Sequence, residues 1–341
     1  MTDPASYPFG PFIQLPFGTL YSSPSDRNQF YDIQIEGVGT KTLLAELSGN
    51  YFSIGKDAVA MAANDVIRSG ARPILISDAI HISKSEPQRV QQLVSGVREG
   101  AKAAGGLLVS GETGDVAEIL HNEIEKKSPP FDLFVSCLGL ASRNQIIAGE
   151  ISLGDRVIGL RSAGIHSNGL TLARRVLLKQ WGGRYKKWET PAGLEHPVLE
   201  ELLIPTRIFV NDLKRIQEIA KVKAAVHITG DGFAKFRRLI EWKNGGKRPG
   251  LGFRFAIKEK QPPIFDLIQK TSKFMGSPIS LKEMYRTFNM GYGFAVVVSP
   301  ADATIILDSL NINGGAVDIG FVSKDGAISV VLPGAEKPIL L

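Results

Sequence analysis

The chain has 341 residues, 43% of them hydrophobic and 22% charged, a composition typical of a globular protein of about two domains. Lys and Arg number 40 against 34 Asp and Glu, and the net charge of +6 suits anionic small molecules. This surplus is not gathered into a basic stripe, which argues against nucleic-acid binding. No signal sequence and no run of ~18 apolar residues occurs, and Cys137 is the only cysteine. We therefore expect a cytoplasmic protein that neither enters a membrane nor forms an internal disulfide.

The N-terminal half shows the pattern of an α/β domain. Residues 1–28 are rich in Pro, Gly, Ser and aromatic residues without a period, which predicts an extended arm. From Gln29 onward, short apolar runs alternate with longer amphipathic stretches. They predict strands at 29–36, 73–79 and 131–141, helices at 57–69 and 87–104, and a short strand within 105–113 that runs into a glycine-bounded loop.

A turn at Leu153-Gly154-Asp155 predicts the boundary between an N-terminal domain at 1–153 and a C-terminal domain at 154–341. The second half again alternates helical and strand patterns, so the fold class is α/β or α+β. A Gly- and Lys-rich stretch at 242–252 is predicted to be a solvated surface turn. The predicted strands lie at 156–162, 253–257, 292–299 and 316–321, and the predicted helices begin at residue 170 or span 205–219, 233–242 and 262–271.

The string MYRTFNMGYG, residues 284–293, is uncommon and precedes the apolar run FAVVVS. It predicts a helix that ends near Asn289, turns through glycines and enters a buried strand. Arg286 and Asn289 would then stand at the end of an element, where they could face a ligand. The alternative is a structural turn in which Phe288 and Met290 fill the core.

Two glycines, a lysine and two hydroxyls follow the first long strand in GVGTKT. Gly37, Gly39, Thr40 and Lys41 are residue types that allow a phosphate to approach the backbone closely. The spacing does not fit a Walker A loop, because Thr40 separates the second glycine from the lysine. A glycine turn with an exposed lysine is the alternative interpretation.

Acidic residues in the first domain suggest a magnesium site. Asp57, Asn64 and Asp65 recur at i, i+7 and i+8, so they share one face of the predicted helix. Asp57 could instead interact only with the helix dipole. Asp78 is expected at the carboxyl end of its strand, where open α/β sheets bind ligands. Gly111, Glu112 and Thr113 end the next strand with a carboxylate and a hydroxyl in a loop.

Two histidines lie in loops rather than in apolar runs. His166 belongs to AGIHSNG, and His227 opens HITGDG. Loop histidines beside Ser, Thr, Asn and Gly are well placed for acid–base chemistry near neutral pH. Both are therefore candidate catalytic residues.

Taken in order, the strings GVGTK, IGKDAVAMAANDVIRSGARP, GET, GIHSNG, LLIPTRIFV, HITGDGF and MYRTFNMGYG resemble the phosphoribosylformylglycinamidine cyclo-ligase family. The resemblance covers roughly residues 35–299. It implies a two-domain fold in which N-terminal sheets pair across a homodimer into a barrel and the C-terminal domain is an α/β sandwich. It also implies ATP-dependent, Mg²⁺-assisted ring closure of formylglycinamidine ribonucleotide to aminoimidazole ribonucleotide.

The resemblance further implies roles for single residues. Asp57, Asp65 and Glu112 would hold Mg²⁺ with ATP, and the glycines, Thr40 and Lys41 would surround the phosphates. Asn64, Gly111 and Thr113 would belong to the same nucleotide site. Asp78, His166 and His227 would lie nearest the cyclising substrate, and the resemblance leaves open which histidine transfers protons.

Several positions depart from the family pattern. Glu36 stands where the family usually has Asp, and Asp231 stands in a string that is usually HITGGG. Asp231 would be either a further Mg²⁺ ligand or a helix cap. Residues 1–40 contain no lysine, although the family normally brings one to ATP from this segment. These departures keep a second interpretation open, namely a related ATP-dependent kinase or synthetase acting on another small phosphorylated metabolite.

Overall fold

The computed structural model describes residues 10–121, 130–242, 250–310, 315–335 and 337–341. The N-terminal half forms a six-stranded sheet in the order β1-β2-β3-β6-β4-β5, in which only β4 and β5 run parallel. Three helices accompany it in the described residues. The strands are β1 (Phe12–Leu15), β2 (Gly18–Ser22), β3 (Gln29–Gly37), β4 (Arg72–Ile82), β5 (Leu107–Asp115) and β6 (Phe131–Ser142), and the helices are α1 (Lys41–Ser48), α2 (Phe52–Ile67) and α3 (Pro87–Ala104).

Helix α2 is the centre of this half. It packs across β3 and β6 and crosses α3 closely, so most of its residues are buried. At the crossing, a Cβ added to Gly55 would lie 2.3 Å from the Leu93 carbonyl oxygen, so only glycine fits there. The other face of the sheet carries exposed apolar side chains. Along β3, for example, Phe30 and Asp32 are buried while Ile33 and Ile35 are 61% and 66% exposed.

The C-terminal half forms a seven-stranded sheet in the order β13-β12-β9-β11-β7-β10-β8, antiparallel except for β9 and β12. Every residue of its strand β10 is buried. The strands are β7 (Arg156–Arg161), β8 (Val222–His227), β9 (Gly252–Ala256), β10 (Tyr292–Val298), β11 (Ala316–Ser323), β12 (Ile328–Val331) and β13 (Ile339–Leu340), and the helices are α4 (Leu170–Leu177), α5 (Val198–Leu203), α6 (Val210–Ile219), α7 (Arg237–Glu241), α8 (Pro263–Phe274), α9 (Leu281–Thr287) and α10 (Pro300–Leu310).

Two hydrophobic cores among the described residues stabilise the C-terminal half. Helices α6 and α10 share one core with the sheet, through residues such as Ile216, Ile306 and Val296. A larger core includes Phe255, Phe265 and side chains of α2 and β6, so it continues into the N-terminal half. No helix in the described part of the chain is long and apolar enough to cross a bilayer.

The predicted α/β architecture is confirmed, as is the helix, turn and strand of residues 281–298. The extended arm is wrong for residues 12–22, which form a hairpin because Leu15 and Leu20 share a small core with Phe30. Residues 1–9, and 243–249 of the predicted surface turn, lie outside the described residues.

Three other elements differ from the prediction in ways that move candidate residues. Helix α2 begins at Phe52, so Asp57 lies in its second turn and not at its N-terminus. Strand β4 continues to Ile82, so Asp78 lies inside the strand rather than at its end. Strand β5 continues to Asp115, so the predicted glycine-bounded loop at 111–114 is extended strand.

Candidate functional site

Asp57 joins the two halves of the molecule through its side chain. Its carboxylate accepts hydrogen bonds from the Thr206 backbone N–H at 2.7 Å and from the Thr206 hydroxyl at 2.6 Å. The Ser167 hydroxyl donates to it at 3.2 Å. Lys41 Nζ lies 2.8 Å from the same carboxylate and 2.8 Å from the Ile204 carbonyl oxygen. Lys41 and Asp57 are completely buried, so the lysine predicted to face a phosphate forms an internal ion pair.

Asn64, which lies seven residues after Asp57 on α2, binds the same segment of the C-terminal half, residues 204–209. Its Nδ2 donates to the Arg207 carbonyl oxygen at 2.9 Å, and its Oδ1 accepts from the Phe209 N–H at 2.9 Å. Residues 204–209 have no regular secondary structure. The polar side chains of α2 and Lys41 therefore supply hydrogen-bond partners that a helix or strand would otherwise provide.

Asp65 forms a buried pair with His227. The carboxylate lies 2.7 Å from His227 Nδ1 and 2.8 Å from Arg68 Nη2. Burial raises the pKa of Asp65, but Arg68 and His227 outweigh it and hold the pKa below its usual range. Burial lowers the pKa of His227 by more than Asp65 raises it. His227 is therefore neutral, donates its Nδ1–H to Asp65 and keeps a lone pair on Nε2, which lies 3.5 Å from Asn64 Nδ2.

Glu36 and Lys235 complete this charged cluster. Burial, followed by the negative charge and hydrogen bond of Asp65, raises the pKa of Glu36 to about 7. Burial lowers the pKa of Lys235 to about 8, against the attraction of Asp65. The Lys235 ammonium also donates to the Thr229 hydroxyl. Two cations and two carboxyl groups thus lie within electrostatic range of one another behind α2.

His166 is held in a strained backbone conformation, with φ of 67°. Its Nε2 accepts from the Ala163 N–H at 3.1 Å and from the Arg207 N–H at 3.4 Å, which assigns the ring proton to Nδ1. Burial, with a contribution from nearby positive charge, lowers its pKa well below the usual value. A Cβ on Gly293 would lie 2.5 Å from the ring, so glycine is required there. His166 is therefore a neutral ring that helps to fix the 204–209 segment.

Asn289, from the string MYRTFNMGYG, fixes the loop that carries His166. Its Nδ2 donates to the carbonyl oxygens of Gly164 and Ile165 at 2.9 and 3.0 Å. Its Oδ1 accepts from the Ser162 hydroxyl at 3.1 Å and the Gly291 N–H at 2.9 Å. Arg286, the other candidate in this string, is exposed on α9.

The glycine loop after β3 is open to a ligand. Gly39 has φ of 54°, and a Cβ placed on it would meet nothing within 4 Å. The next residue, Thr40, reaches the start of α4, where its hydroxyl lies 3.1 Å from that of Thr171. A phosphate could therefore approach the backbone of this loop closely.

The structure does not bring the GET string to the glycine loop within one chain. Strand pairing places Gly37 opposite Phe134, Phe134 opposite Ala79, and Ala79 opposite Glu112. Three inter-strand spacings of ~4.8 Å separate Gly37 from Glu112 by about 14 Å. Glu112 and its neighbours Gly111 and Thr113 are exposed on the edge strand.

Asp78 belongs to the GET side of the sheet. A Cβ on Gly111 would lie 2.8 Å from Asp78 Oδ1, so the carboxylate occupies the space over that glycine. Burial raises the pKa of Asp78. Asp78 therefore lies next to strand β5, close to the exposed Glu112. Among the described residues, no hydrogen bond links Asp78 to His166 or His227.

The carboxylates predicted for Mg²⁺ are dispersed. Among residues 10–121, 130–242, 250–310, 315–335 and 337–341, no group of three or more His, Cys, Asp or Glu side chains could hold a metal ion. Asp57 and Asp65 face cations, whereas Glu112 and Asp231 are exposed. Asp231 precedes a 3₁₀ helix at Gly232–Phe236 with φ of 67°, but its side chain makes no capping hydrogen bond. Mg²⁺ bound together with ATP phosphates needs only one or two carboxylates.

Sequence reasoning missed three residues of this site. Arg68 lies three residues after Asp65, a helical spacing at which opposite charges meet, so it could have been found. Thr206 and Lys235 carry no such signal, because the carboxylates with which they interact are remote in sequence. Their positions follow only from the way the two halves pack.

Comparison with known proteins follows the same division of the chain. The family model of the AIR synthase related protein N-terminal domain matches residues 24–141, and that of the C-terminal domain matches residues 153–333. The chain is 36% identical over 315 residues to the phosphoribosylformylglycinamidine cyclo-ligase of Pyrococcus furiosus, covering 91% of this chain and 84% of the relative. It is 38% identical over 281 residues to that of Bacillus licheniformis, covering 82% and 76%. A crystal structure of hydrogenase maturation protein HypE in complex with ATP shares the fold, with a TM-score of 0.59 at 15% identity over 92% of this chain and 84% of that chain.

Proposed function

The chain belongs to the family of AIR synthase related proteins, and from this premise we propose that it is a phosphoribosylformylglycinamidine cyclo-ligase. It uses ATP to close formylglycinamidine ribonucleotide to aminoimidazole ribonucleotide and releases ADP and phosphate, a step of purine biosynthesis. One observation carries the proposal. All the strings that resemble the family, except GET, meet in a single hydrogen-bonded network between the two halves, which includes Lys41–Asp57, Asn64–Arg207, His227–Asp65 and Asn289–Gly164.

In this reaction, the main task of the protein is to position its substrates. The γ-phosphoryl group leaves ADP and bonds to the formyl oxygen of the substrate, which makes that oxygen a good leaving group. A substrate nitrogen then bonds to the formyl carbon, the carbon–oxygen bond to phosphate breaks, and the nitrogen loses a proton. We place phosphates at the loop that follows Gly37, at the backbone of Gly39 and Thr40, because Gly39 leaves room for close approach.

We assign the proton acceptor to His227. Asp65 holds its Nδ1–H, which orients the lone pair of Nε2, and the Asn64 amide at 3.5 Å is a weak competitor for that lone pair. The lone pair of His166 is already engaged by the N–H groups of Ala163 and Arg207. His227 is fully buried, so a substrate can reach its Nε2 only after the groups that cover it move.

Mg²⁺ would offset charge between the phosphates when it is bound with ATP. The exposed carboxylate of Asp231 is available for that role, whereas Glu112, with Gly111 and Thr113 beside it, lies about 14 Å from the glycine loop within one chain. We also propose a homodimer in the cytoplasm. The exposed apolar face of the N-terminal sheet supports the dimer, and the buried, unpaired Cys137 is compatible with a reducing compartment.

A turnover assay tests the function directly. Purified protein mixed with ATP, Mg²⁺ and formylglycinamidine ribonucleotide should form aminoimidazole ribonucleotide and ADP in equal amounts. ATP consumption without this product, in the presence of another phosphorylated acceptor, would instead identify a related kinase or synthetase.

Variants of the two histidines test their roles. His227→Asn should lower kcat by about 100-fold or more, as expected for loss of a general base. His166→Asn should lower kcat less, because asparagine tolerates a positive φ and its amide oxygen can still accept an N–H. The reverse order of effects in the same turnover assay would move the proton acceptor to His166.

A further inference from the structure

The charged cluster behind α2 is largely buried, and its positive charges equal or outnumber its negative charges, because the raised pKa of Glu36 allows that carboxyl group to carry a proton. Its members are the carboxylates Glu36 and Asp65 and the cations Arg68 and Lys235. Asp65 Oδ2 lies 2.8 Å from Arg68 Nη2, and Glu36 shares a hydrogen bond with Asp65. The side chains of Asp65, Arg68 and Lys235 are at most 9% exposed. Asp65 therefore already has a positive partner inside the protein, and the charges of Arg68 and Lys235 also act on Glu36.

A divalent cation is a poor fit to such a cluster. Mg²⁺ takes six oxygen ligands at ~2.1 Å and is bound where carboxylates lack other counter-charges. Here the Arg68 guanidinium is paired with Asp65, and the Lys235 ammonium is near enough to interact electrostatically with Asp65 and Glu36, so both cations would repel a metal ion. The nearby charges of Asp32 and Arg238 do not alter this balance, since they are also of opposite sign.

The hairpin of β1 and β2 closes the cluster from outside. Phe17, at its tip, lies over the Arg68 guanidinium at 5.1 Å and over that of Arg238 at 5.9 Å. A stacked ring holds the guanidinium on Asp65 and shields it from water. The small cavity beside it is lined by Phe17, Asp32, Asp65, Arg68 and Ser69.

We propose that Arg68 and Lys235 take the place of a divalent cation at Glu36 and Asp65, so that Asp65 orients His227 and binds no metal. Any Mg²⁺ that the reaction needs enters with the nucleotide at other carboxylates. The inference concerns the site of the proposed function but does not depend on the reaction, because it is tested by metal binding alone.

Mn²⁺ binding followed by electron paramagnetic resonance tests it on the full chain. Without nucleotide, wild type and Asp65→Asn should leave the free Mn²⁺ signal equally unchanged. With ADP present, both should bind Mn²⁺ with affinities that agree within twofold. The proposal is overturned if wild type takes up one Mn²⁺ per chain and Asp65→Asn loses it, or if Asp65→Asn weakens Mn²⁺ binding with ADP by tenfold.

A variant that is expected to gain Mn²⁺ binding provides a second test. Lys235→Glu removes the ammonium and adds a carboxylate beside Glu36 and Asp65, so it should acquire Mn²⁺ binding that Mg²⁺ competes away. Lys282→Glu, which makes the same charge change at an exposed position on α9, should not. If folded Lys235→Glu gains no Mn²⁺ binding, the Lys235 ammonium does not take the place of a divalent cation. If Lys235→Glu fails to fold, the comparison of Mn²⁺ binding by wild type and Asp65→Asn still tests the proposal. Absence of turnover would count against the proposed function and would leave these binding results unaffected.

Discussion

The buried pair of Lys41 and Asp57 shows how one side chain can fix two segments at once. Asp57→Asn removes the negative charge and leaves the Lys41 ammonium buried beside an amide. Removing one partner of a buried ion pair is expected to lower the free energy of unfolding by about 3 kcal/mol or more. Urea denaturation followed by circular dichroism measures this loss.

A double variant controls for the charge itself. Adding Lys41→Met to Asp57→Asn removes the orphaned ammonium, so the double variant should recover part of the lost stability. Equal or greater instability of the double variant would show that the contact of Lys41 with the Ile204 carbonyl oxygen is worth more than the relief of its unpaired charge.

Glu36 should give the protein a measurable pH dependence of stability. Its pKa is raised from 4.5 to about 7, chiefly by burial, so the folded state holds this proton more tightly than the unfolded state. Its stabilising contribution is complete below pH 4.5 and is lost as the pH rises toward 7. Glu36→Gln cannot ionise, so its free energy of unfolding should fall less than that of wild type over this range. Parallel profiles in urea titrations at several pH values would contradict the raised pKa.

At the scale of the element, the turn between α9 and β10 acts through Asn289. Asn289→Ala would leave the buried carbonyl oxygens of Gly164 and Ile165 without their donor. Two unsatisfied groups should cost about 2 kcal/mol or more of stability and should loosen the loop that carries His166.

Thermal unfolding and steady-state kinetics together test this expectation. Ser162→Ala is the matched control, because it removes one hydrogen bond to Asn289 Oδ1 and leaves both carbonyl contacts intact. It should lower the melting temperature less than Asn289→Ala. A loss of equal size in both variants would show that the carbonyl contacts are not what holds the loop.

Elements with a strong period were predictable from sequence, and those that depend on distant partners were not. The strand at Phe131–Ser142 was predicted within one residue, because its alternation of buried and exposed residues is a local pattern. The hairpin at 12–22 was missed because its strands are short and are stabilised by Phe30. Asp57, Asn64 and Asp65 were correctly placed on one helix face, but sequence could not show that this face meets backbone groups and cations. Those partners are more than a hundred residues away, apart from Lys41 and Arg68.

At the scale of the whole molecule, the exposed face of the N-terminal sheet predicts self-association. Ile33, Ile35, Leu107 and Val109 are more than half exposed, and Phe134 lies between their strands. Such a contiguous apolar surface is typical of an interface. Light scattering after gel filtration should give twice the chain mass of 36.9 kDa.

A charge placed on that surface should separate the subunits. Ile35→Glu is expected to shift the mass toward 36.9 kDa, because burying the carboxylate in the interface is costly. Ile305→Glu, at an exposed position on α10, should leave the mass of wild type unchanged. A wild-type monomer, or dissociation by both variants alike, would contradict an interface on this sheet.

The way α2 binds residues 204–209 also determines which changes of sequence the protein can tolerate at this contact. Within this segment, Asn64 binds backbone atoms of Arg207 and Phe209, and Lys41 binds the carbonyl oxygen of Ile204. The Thr206 hydroxyl, which donates to Asp57, is a side-chain contact of the segment. Recognition between the halves thus depends on the path of the segment more than on its side chains. Chimaeras that join the N-terminal half of this chain to the C-terminal half of a relative should therefore assemble wherever that path is kept, even when the sequences at the junction have diverged.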